Sequence, residues 1–406
     1  MEETKNEKWQ INFLIIAISQ AISLLGSGAV QFVLIWWIVD KTGSALSLTY
    51  TTVLSLIPSV FIGPFAGALV DRLKRKTVII SADLFTGVIA LLFSLLFSIG
   101  EPPVYMIGIV LFMRSIGNIF HSPAIQATMP LLVPKEQLIK ANSINQFLGT
   151  GSFLLCPILG AAMYDLLPMK YILLSDFAGA LIACTAILII KIPELPIVIK
   201  KKPNMLREIK EGLIIYMQDK QLFLVTIILC IALLFLSPTG TFLNLIVGTV
   251  FHGSVWHVSA SRVLSSIGAL VSFMVIGIIG AKIKDKLNGT LFGIIIVGLS
   301  AFIVGILPHN NIGLNLLLIV CLFFGAGMNI YNIPYRTYIQ ENIPREKLGR
   351  VFSLYSSLMS LLMPIGLIIT GPIAEKVGMD RYFIIAGLGS MATIIIGKII
   401  LKIKKL

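Results

Sequence analysis

Five ionisable residues interrupt long apolar stretches of this chain: Asp40, Asp83, Arg114, Asp176 and Arg262. A charge at the centre of a membrane-spanning helix costs about 2.5–3.5 kcal/mol on insertion scales, so each is a candidate for function by default. Arg114 is followed at i+4 by Asn118 and at i+7 by His121, which places three polar side chains on one helical face. The chemistry open to such groups is proton binding and oriented polar contact with a guest molecule. A carboxylate that loads and releases a proton needs burial to bring its titration toward neutrality. Arg114, Asp83, Asp176 and Asp40 are therefore the candidates for proton coupling, Asp40 the poorest because it falls at a helix end. The apolar segments hold no paired carboxylates, no histidine cluster and no Ser/His/Asp set, which argues against an integral membrane enzyme. No Walker A sequence is present, so nucleotide hydrolysis on this chain is excluded.

Further polar stripes recur at helical spacing: Gln20, Ser27 and Gln31; Asn142, Asn145, Gln146 and Gly149; and Asn329, Asn332 and Arg336. Each alone is readable as interhelical glue, worth about 0.6 kcal/mol per bond. Large apolar side chains lie near them, Phe32, Trp36, Met113, Phe147, Phe235, Phe242 and Tyr331, and broad apolar contact with few oriented polar groups suits a hydrophobic small molecule. Packing or lipid contact is the plainer reading of any one aromatic, and Trp36 and Trp37 also suit interface anchors.

The elements that must position these residues are membrane helices. The 406 residues are 57% hydrophobic and 13% charged, with mean hydropathy +0.95, which no water-soluble surface accommodates. Twelve spans are expected, at 11 to 38, 45 to 70, 77 to 99, 104 to 125, 142 to 164, 170 to 190, 222 to 248, 258 to 281, 289 to 307, 313 to 334, 350 to 374 and 380 to 401. Transmembrane β-strands are shorter and alternate, so a barrel is excluded. The N-terminal stretch runs into a span longer than a signal-peptide core and is expected to stay uncleaved.

The net charge of +13 sits between the spans and reads as topology rather than nucleic-acid binding. Lys5 and Lys8, Arg72 to Lys76, Lys135 and Lys140, Lys191 to Lys220, Lys282 to Lys286, Arg345 to Arg350, and Lys398 to Lys405 fall on one side; only Lys41, Lys170, Lys376 and Arg381 fall on the other. The first side is expected to be cytoplasmic, both termini included, in a multi-pass membrane protein. The scattered Cys156, Cys184, Cys230 and Cys321 encode neither a metal site nor a disulfide framework, and neither metal nor cofactor is expected.

The Lys-rich stretch 191–220, with a short amphipathic helix expected at Met205 to Met217, divides the chain into a six-helix bundle at 1–190 and another at 221–406. Internal repetition near an offset of 210 residues agrees. Gly117-Asn-Ile-Phe-His-Ser-Pro123 resembles Gly327-Met-Asn-Ile-Tyr-Asn-Ile-Pro334, and Pro134-Lys-Glu-Gln-Leu-Ile-Lys-Ala-Asn-Ser143 resembles Pro344-Arg-Glu-Lys-Leu-Gly-Arg-Val-Phe-Ser353. Six spans separate the copies, so the repeat is parallel.

After span 2 the chain reads Gly67-Ala-Leu-Val-Asp71-Arg72-Leu-Lys74-Arg75-Lys76. This resembles the signature of the major facilitator superfamily, Gly-x-Leu-x-Asp-Arg-x-Gly-Arg-Lys, with Lys74 where a Gly is usual. Arg114 matches the superfamily's arginine in its fourth helix, and Gly149, Cys156-Pro157 and Gly160-Ala161 form a degraded antiporter motif. Leu111-Phe-Met-Arg-Ser-Ile-Gly117, His121-Ser-Pro-Ala124, Leu131-Leu-Val-Pro134, Gly349-Arg-Val-Phe-Ser-Leu354 and Met363-Pro-Ile-Gly-Leu367 extend the likeness, in both halves, to the macrolide-efflux branch of drug/proton antiporters.

The resemblance implies an all-α fold of two six-helix bundles related by a pseudo-two-fold axis, with spans 1, 4, 5 and 10 around a central cavity and Gly67, Asp71, Arg72, Arg75 and Lys76 as a cytoplasmic gate. It implies proton-driven export of macrolide-type or similar hydrophobic antibiotics by alternating access, with no enzymatic activity, by a monomer whose partners are a hydrophobic substrate, protons and the lipid bilayer. Gln31, Trp36, Met113, Arg114, Asn118, His121, Asn145, Phe147, Phe235, Phe242, Asn329 and Tyr331 are then the expected substrate contacts. Export of an endogenous metabolite such as a siderophore is the alternative within transport. A non-transporting sensor or scaffold is the alternative of another class.

Overall fold

A computed structural model describes residues 2–70, 73–134, 137–190, 213–279, 285–344 and 348–403. Every regular element among them is helical: α1 (Glu2–Thr42), α2 (Ala45–Phe61), α3 (Gly63–Val70), α4 (Arg75–Ile99), α5 (Val104–Leu132), α6 (Leu138–Leu166), α7 (Met169–Ile189), α8 (Lys220–Leu236), α9 (Thr239–Thr249), α10 (Val255–Ile279), α11 (Lys286–Ile306), α12 (Asn311–Asn342), α13 (Leu348–Val377) and α14 (Met379–Ile403). Eleven stretches of the described chain are helical, long and apolar enough to cross a membrane.

The twelfth expected span, 45 to 70, is two helices. Pro64 has no N–H to offer a carbonyl one turn earlier, and helical pairing restarts from Ile62, whose carbonyl accepts from Phe65 and Ala66. Pro238 divides span 7 into α8 and α9 in the same way, without ending the crossing. Soluble-type caps close several helix starts: Asp219, Asp285 and Asn310 each accept from a backbone N–H three residues on, at 2.9 Å. Gly43, at φ +55°, takes the left-handed conformation that ends α1.

Contacts group the chain into two units, residues 1–38 with 50–200 and residues 39–49 with 201–406. In the first unit α4 packs along α7 and α5, and α3 along α5. Gly87 permits the α4–α7 approach, since a Cβ there would stand 2.8 Å from that of Ala180. In the second unit α11 packs on α12 and α14, α10 on α12, and α8 on α14. A Cβ at Gly268 would overlap the Leu322 carbonyl, and one at Gly325 the Ser265 carbonyl, so α10 and α12 run almost backbone to backbone. Of the expected linker, residues 191–212 lie outside the described residues, as does most of the amphipathic helix expected there. Residues 213–218 are helical, and Tyr216 is buried.

The repeat read from the sequence has a packing counterpart inside each unit. Gly117 of α5 lies against α4, with Ala82 O and the Thr86 methyl in the space of its missing Cβ. Gly327 of α12 lies against α11 with Gly293 O and Val297 in the same roles, 211 residues on from Ala82 and Thr86. Side chains such as Ile99, Ile278 and Ile403 are exposed on the outer helix faces, as lipid contact requires.

Candidate functional site

The first unit contains two polar rungs, each joining α1 and α5 to a carboxylate on a third helix. In one, Arg114 of α5 forms an ion pair through Nη1 with Oδ2 of Asp176 on α7, and both side chains are buried. Ser27 of α1 donates to the other carboxylate oxygen at 2.6 Å, and Arg114 Nη2 donates to the Ser27 carbonyl at 3.1 Å. In the other rung, His121 Nε2 lies 3.2 Å from Asp83 Oδ1 on α4, and Gln20 of α1 donates to Asp83 Oδ2 at 3.4 Å. The His121 ring is within ion-pair reach yet angled away from a linear hydrogen bond, and its buried Nε2 has no hydrogen-bond partner among the described residues.

The spacing explains the construction. Gln20 and Ser27 are seven residues apart on α1, and Arg114 and His121 are seven apart on α5, each two helical turns or about 10 Å. One carboxylate from α4 and one from α7 completes each rung. The polar stripes on spans 1 and 4 thus point at Asp83 and Asp176 within their own unit. Both carboxylates, read from the sequence as separate candidates, are half of a pair.

Below the Asp83–His121 rung, toward the start of α4, lies an apolar cluster of Val70, Val78, Ile79, Ala124 and Ile187, flanked by Phe120 and Ile125. A second cluster, Phe13, Ile16, Ala17, Leu132, Val133, Ala141 and Ile190, joins α1, α5 and α6 at the same end. Between α1 and α6, Cys156 Sγ fills the space beside Gly28, and Gly160 lies against Phe32 and the Ala29 carbonyl, whereas Gly149 has open space around it. Of the degraded antiporter motif, Cys156 and Gly160 are therefore the positions that fit α6 to α1.

In the loop motif, Asp71 and Arg72 lie outside the described residues, and Gly67 is placed only as part of α3. Lys76 donates to the carbonyls of Leu188 (2.8 Å) and Ile190 (2.9 Å), capping the C-terminal end of α7 with a cation. Arg75 opens α4.

The remaining expected contacts divide by exposure. Gln31, Asn118 and Phe147 are exposed, and Met113 and Asn145 half-buried, in the first unit, while Trp36 is buried. Asp40 is exposed at the end of α1. In the second unit Phe242 is buried edge-on to Tyr382 at 5.2 Å, and the Phe235 ring packs over Gly389, so both serve the seating of α14. Asn329 donates to the Ala269 carbonyl at 2.7 Å and ties α12 to α10. The Tyr331 backbone fits against Gly293.

Two features of the second unit escape sequence reasoning. Tyr335 is fully buried, shares a hydrogen bond with Thr226 (2.7 Å) and Tyr216 (3.3 Å), and packs against the Tyr355 ring. Arg262, one of the five ionisable residues within the apolar stretches, donates through Nη2 to the buried Asn244 at 3.1 Å, while its Nε is buried without a partner among the described residues. The tyrosine spacing, four residues from Tyr331 to Tyr335, was the available signal; nothing in the sequence pairs Asn244 with Arg262.

The two rungs hold charged and polar groups in the interior of the first unit; no described residues converge as a metal-binding set. The sequence is 34% identical to "Macrolide efflux protein A" of Streptococcus pyogenes over 403 residues, 99% of each chain. It is 36% identical to the protein of the same name in Enterococcus faecalis over 326 residues, 80% of this chain and all of that one. The fold resembles the crystal structure of the nucleoside transporter NupG, with a TM-score of 0.74 at 14% identity, covering 96% of this chain and 99% of that one. Residues 16–367 match the sequence profile of the Major Facilitator Superfamily, and with helices of this number and order the chain belongs to that family of transporters.

Proposed function

We propose that this transporter exports macrolide-type antibiotics by alternating access, driven by proton movement into the cell. The observation that carries the substrate class is the 34% identity spread over 99% of both chains with Macrolide efflux protein A. Exposed polar side chains in the middle of membrane helices support a water-filled substrate path. Gln31 and Asn118 are exposed far from the ends of α1 and α5, where lipid contact would be costly, so they face water. With the exposed Phe147 and the half-buried Met113 they supply apolar contact and a few oriented polar groups on the first unit.

The distribution of lysine and arginine supports cytoplasmic termini in a bacterial plasma membrane, and the protein acts as a monomer in this reading. A proton falling through 100 mV releases about 2.3 kcal/mol, enough for roughly a fiftyfold gradient of a neutral drug at one proton each. Labelled erythromycin accumulation in cells with and without the chain tests this. Expression is expected to lower accumulation several-fold and an uncoupler to restore it. Equal accumulation with and without expression would remove the macrolide assignment, and efflux indifferent to the uncoupler would remove proton coupling.

A further inference from the structure

We infer that the Asp83–His121 pair is the proton-loading site of this transporter, while Arg114–Asp176 is a fixed strut; this rests on the exporter reading above. An arginine keeps its charge at every physiological pH, and both oxygens of Asp176 are occupied, one by Arg114 and one by Ser27. That rung holds a fixed cation against a carboxylate with a donor on each oxygen. Imidazole is the side chain whose ordinary titration falls between pH 5 and 8. His121 holds its Nε2 3.2 Å from a carboxylate oxygen with no other partner among the described residues, so a small ring rotation completes a charged hydrogen bond when the ring gains a proton. The proton binds the imidazole nitrogen from water on loading and returns to water on release, with Asp83 as the counter-charge.

Among the described residues, the groups that face the pair from the neighbouring helices are amides, hydroxyls, a thiol and apolar side chains. From α1 the facing side chain is Gln20, an amide. From α7, Cys184 feels the Asp83 charge, but its Sγ is turned to the Ile80 carbonyl at 3.7 Å. On α4 itself, Thr86 bonds its own backbone, at Ala82 O and Asp83 O. α3, packed on α5, carries no ionisable side chain. α2 meets α5 through Tyr50 at Gly108, thirteen residues or about 20 Å along from His121, and Ser59 meets Ser115. Where α6 packs near the end of α5 it presents Ala141, Ile144 and Leu148. Arg114 and Asp176, two turns away, neutralise each other. The apolar cluster around Ile79 and Ala124 closes the rung toward the start of α4, so exchange with that side requires those helices to part.

The test uses full-length protein in liposomes with labelled erythromycin, in wild type, H121Q and D83N. Proton-driven accumulation is expected to fall at least tenfold in both variants, while exchange of internal for external drug without a gradient stays within about twofold in D83N. Accumulation retained by either variant, or exchange lost together with accumulation in D83N, overturns the inference. A drug-free measurement separates its failure from that of the exporter reading: protons taken up by purified protein between pH 8 and pH 5.5, counted with an indicator dye. Wild type is expected to take up about one more proton than either variant, because a half-buried imidazolium is disfavoured without its counter-charge. Equal uptake by wild type and D83N overturns the inference even if erythromycin is moved. If wild type moves no erythromycin, the exporter reading fails while a one-proton difference still supports the pair.

Discussion

Replacing Asp176 by Asn leaves the Arg114 guanidinium inside the first unit without its counter-charge, with only neutral acceptors such as the Ser27 carbonyl at hand. Arg114 is 4% exposed and Asp176 2%, so water cannot take over the lost charge. Breaking one side of such a pair costs about 3–5 kcal/mol, whereas replacing both members by apolar groups of similar volume is often neutral. At a few degrees per kcal/mol for a unit of this size, D176N is expected to lower the unfolding midpoint by roughly 10 °C. R114M/D176L is expected to return to within about 1 kcal/mol of wild type. Free thiols provide the assay: Cys184 and Cys321 are buried, so a thiol-reactive dye reports unfolding of detergent-solubilised protein on heating. A double variant as unstable as D176N, or a D176N midpoint close to wild type, would refute the strut role of this pair.

Glycine substitutions test the helix packing with the same dye. G325A drives a Cβ into the Ser265 carbonyl and is expected to cost about 1–3 kcal/mol, while G149A enters open space and is expected to be neutral or slightly stabilising. Y335F removes the hydroxyl shared with Thr226 and leaves the buried Tyr216 hydroxyl without that partner; a loss of about 1–3 kcal/mol is expected, and no loss would remove the network's structural role.

Spans, their order and the repeat were legible in the sequence because a bilayer demands long apolar helices, and that demand leaves a strong, local signal. The break in the second span was marked by Gly63-Pro64 but hidden under continuous hydropathy. At the site, residue types were legible and partnerships were not. Asp83, Arg114 and Asp176 announced themselves as charges in hydrocarbon, and the i, i+7 spacings on α1 and α5 were visible. Which carboxylate meets which base depends on how α4 and α7 pack beside α5, information carried by small residues such as Gly87 and Ala180 rather than by any motif. For the same reason Phe235 and Phe242 were indistinguishable from substrate contacts until their packing on α14 was seen.

The central claim is that proton entry drives drug exit. Everted membrane vesicles from cells expressing the chain test it most directly, with an imposed pH gradient, acid inside, and labelled erythromycin outside. Erythromycin uptake is expected to follow the gradient, to collapse with an uncoupler and to be absent from vesicles lacking the chain; uptake that ignores the gradient, or none above those control vesicles, would overturn proton-driven export.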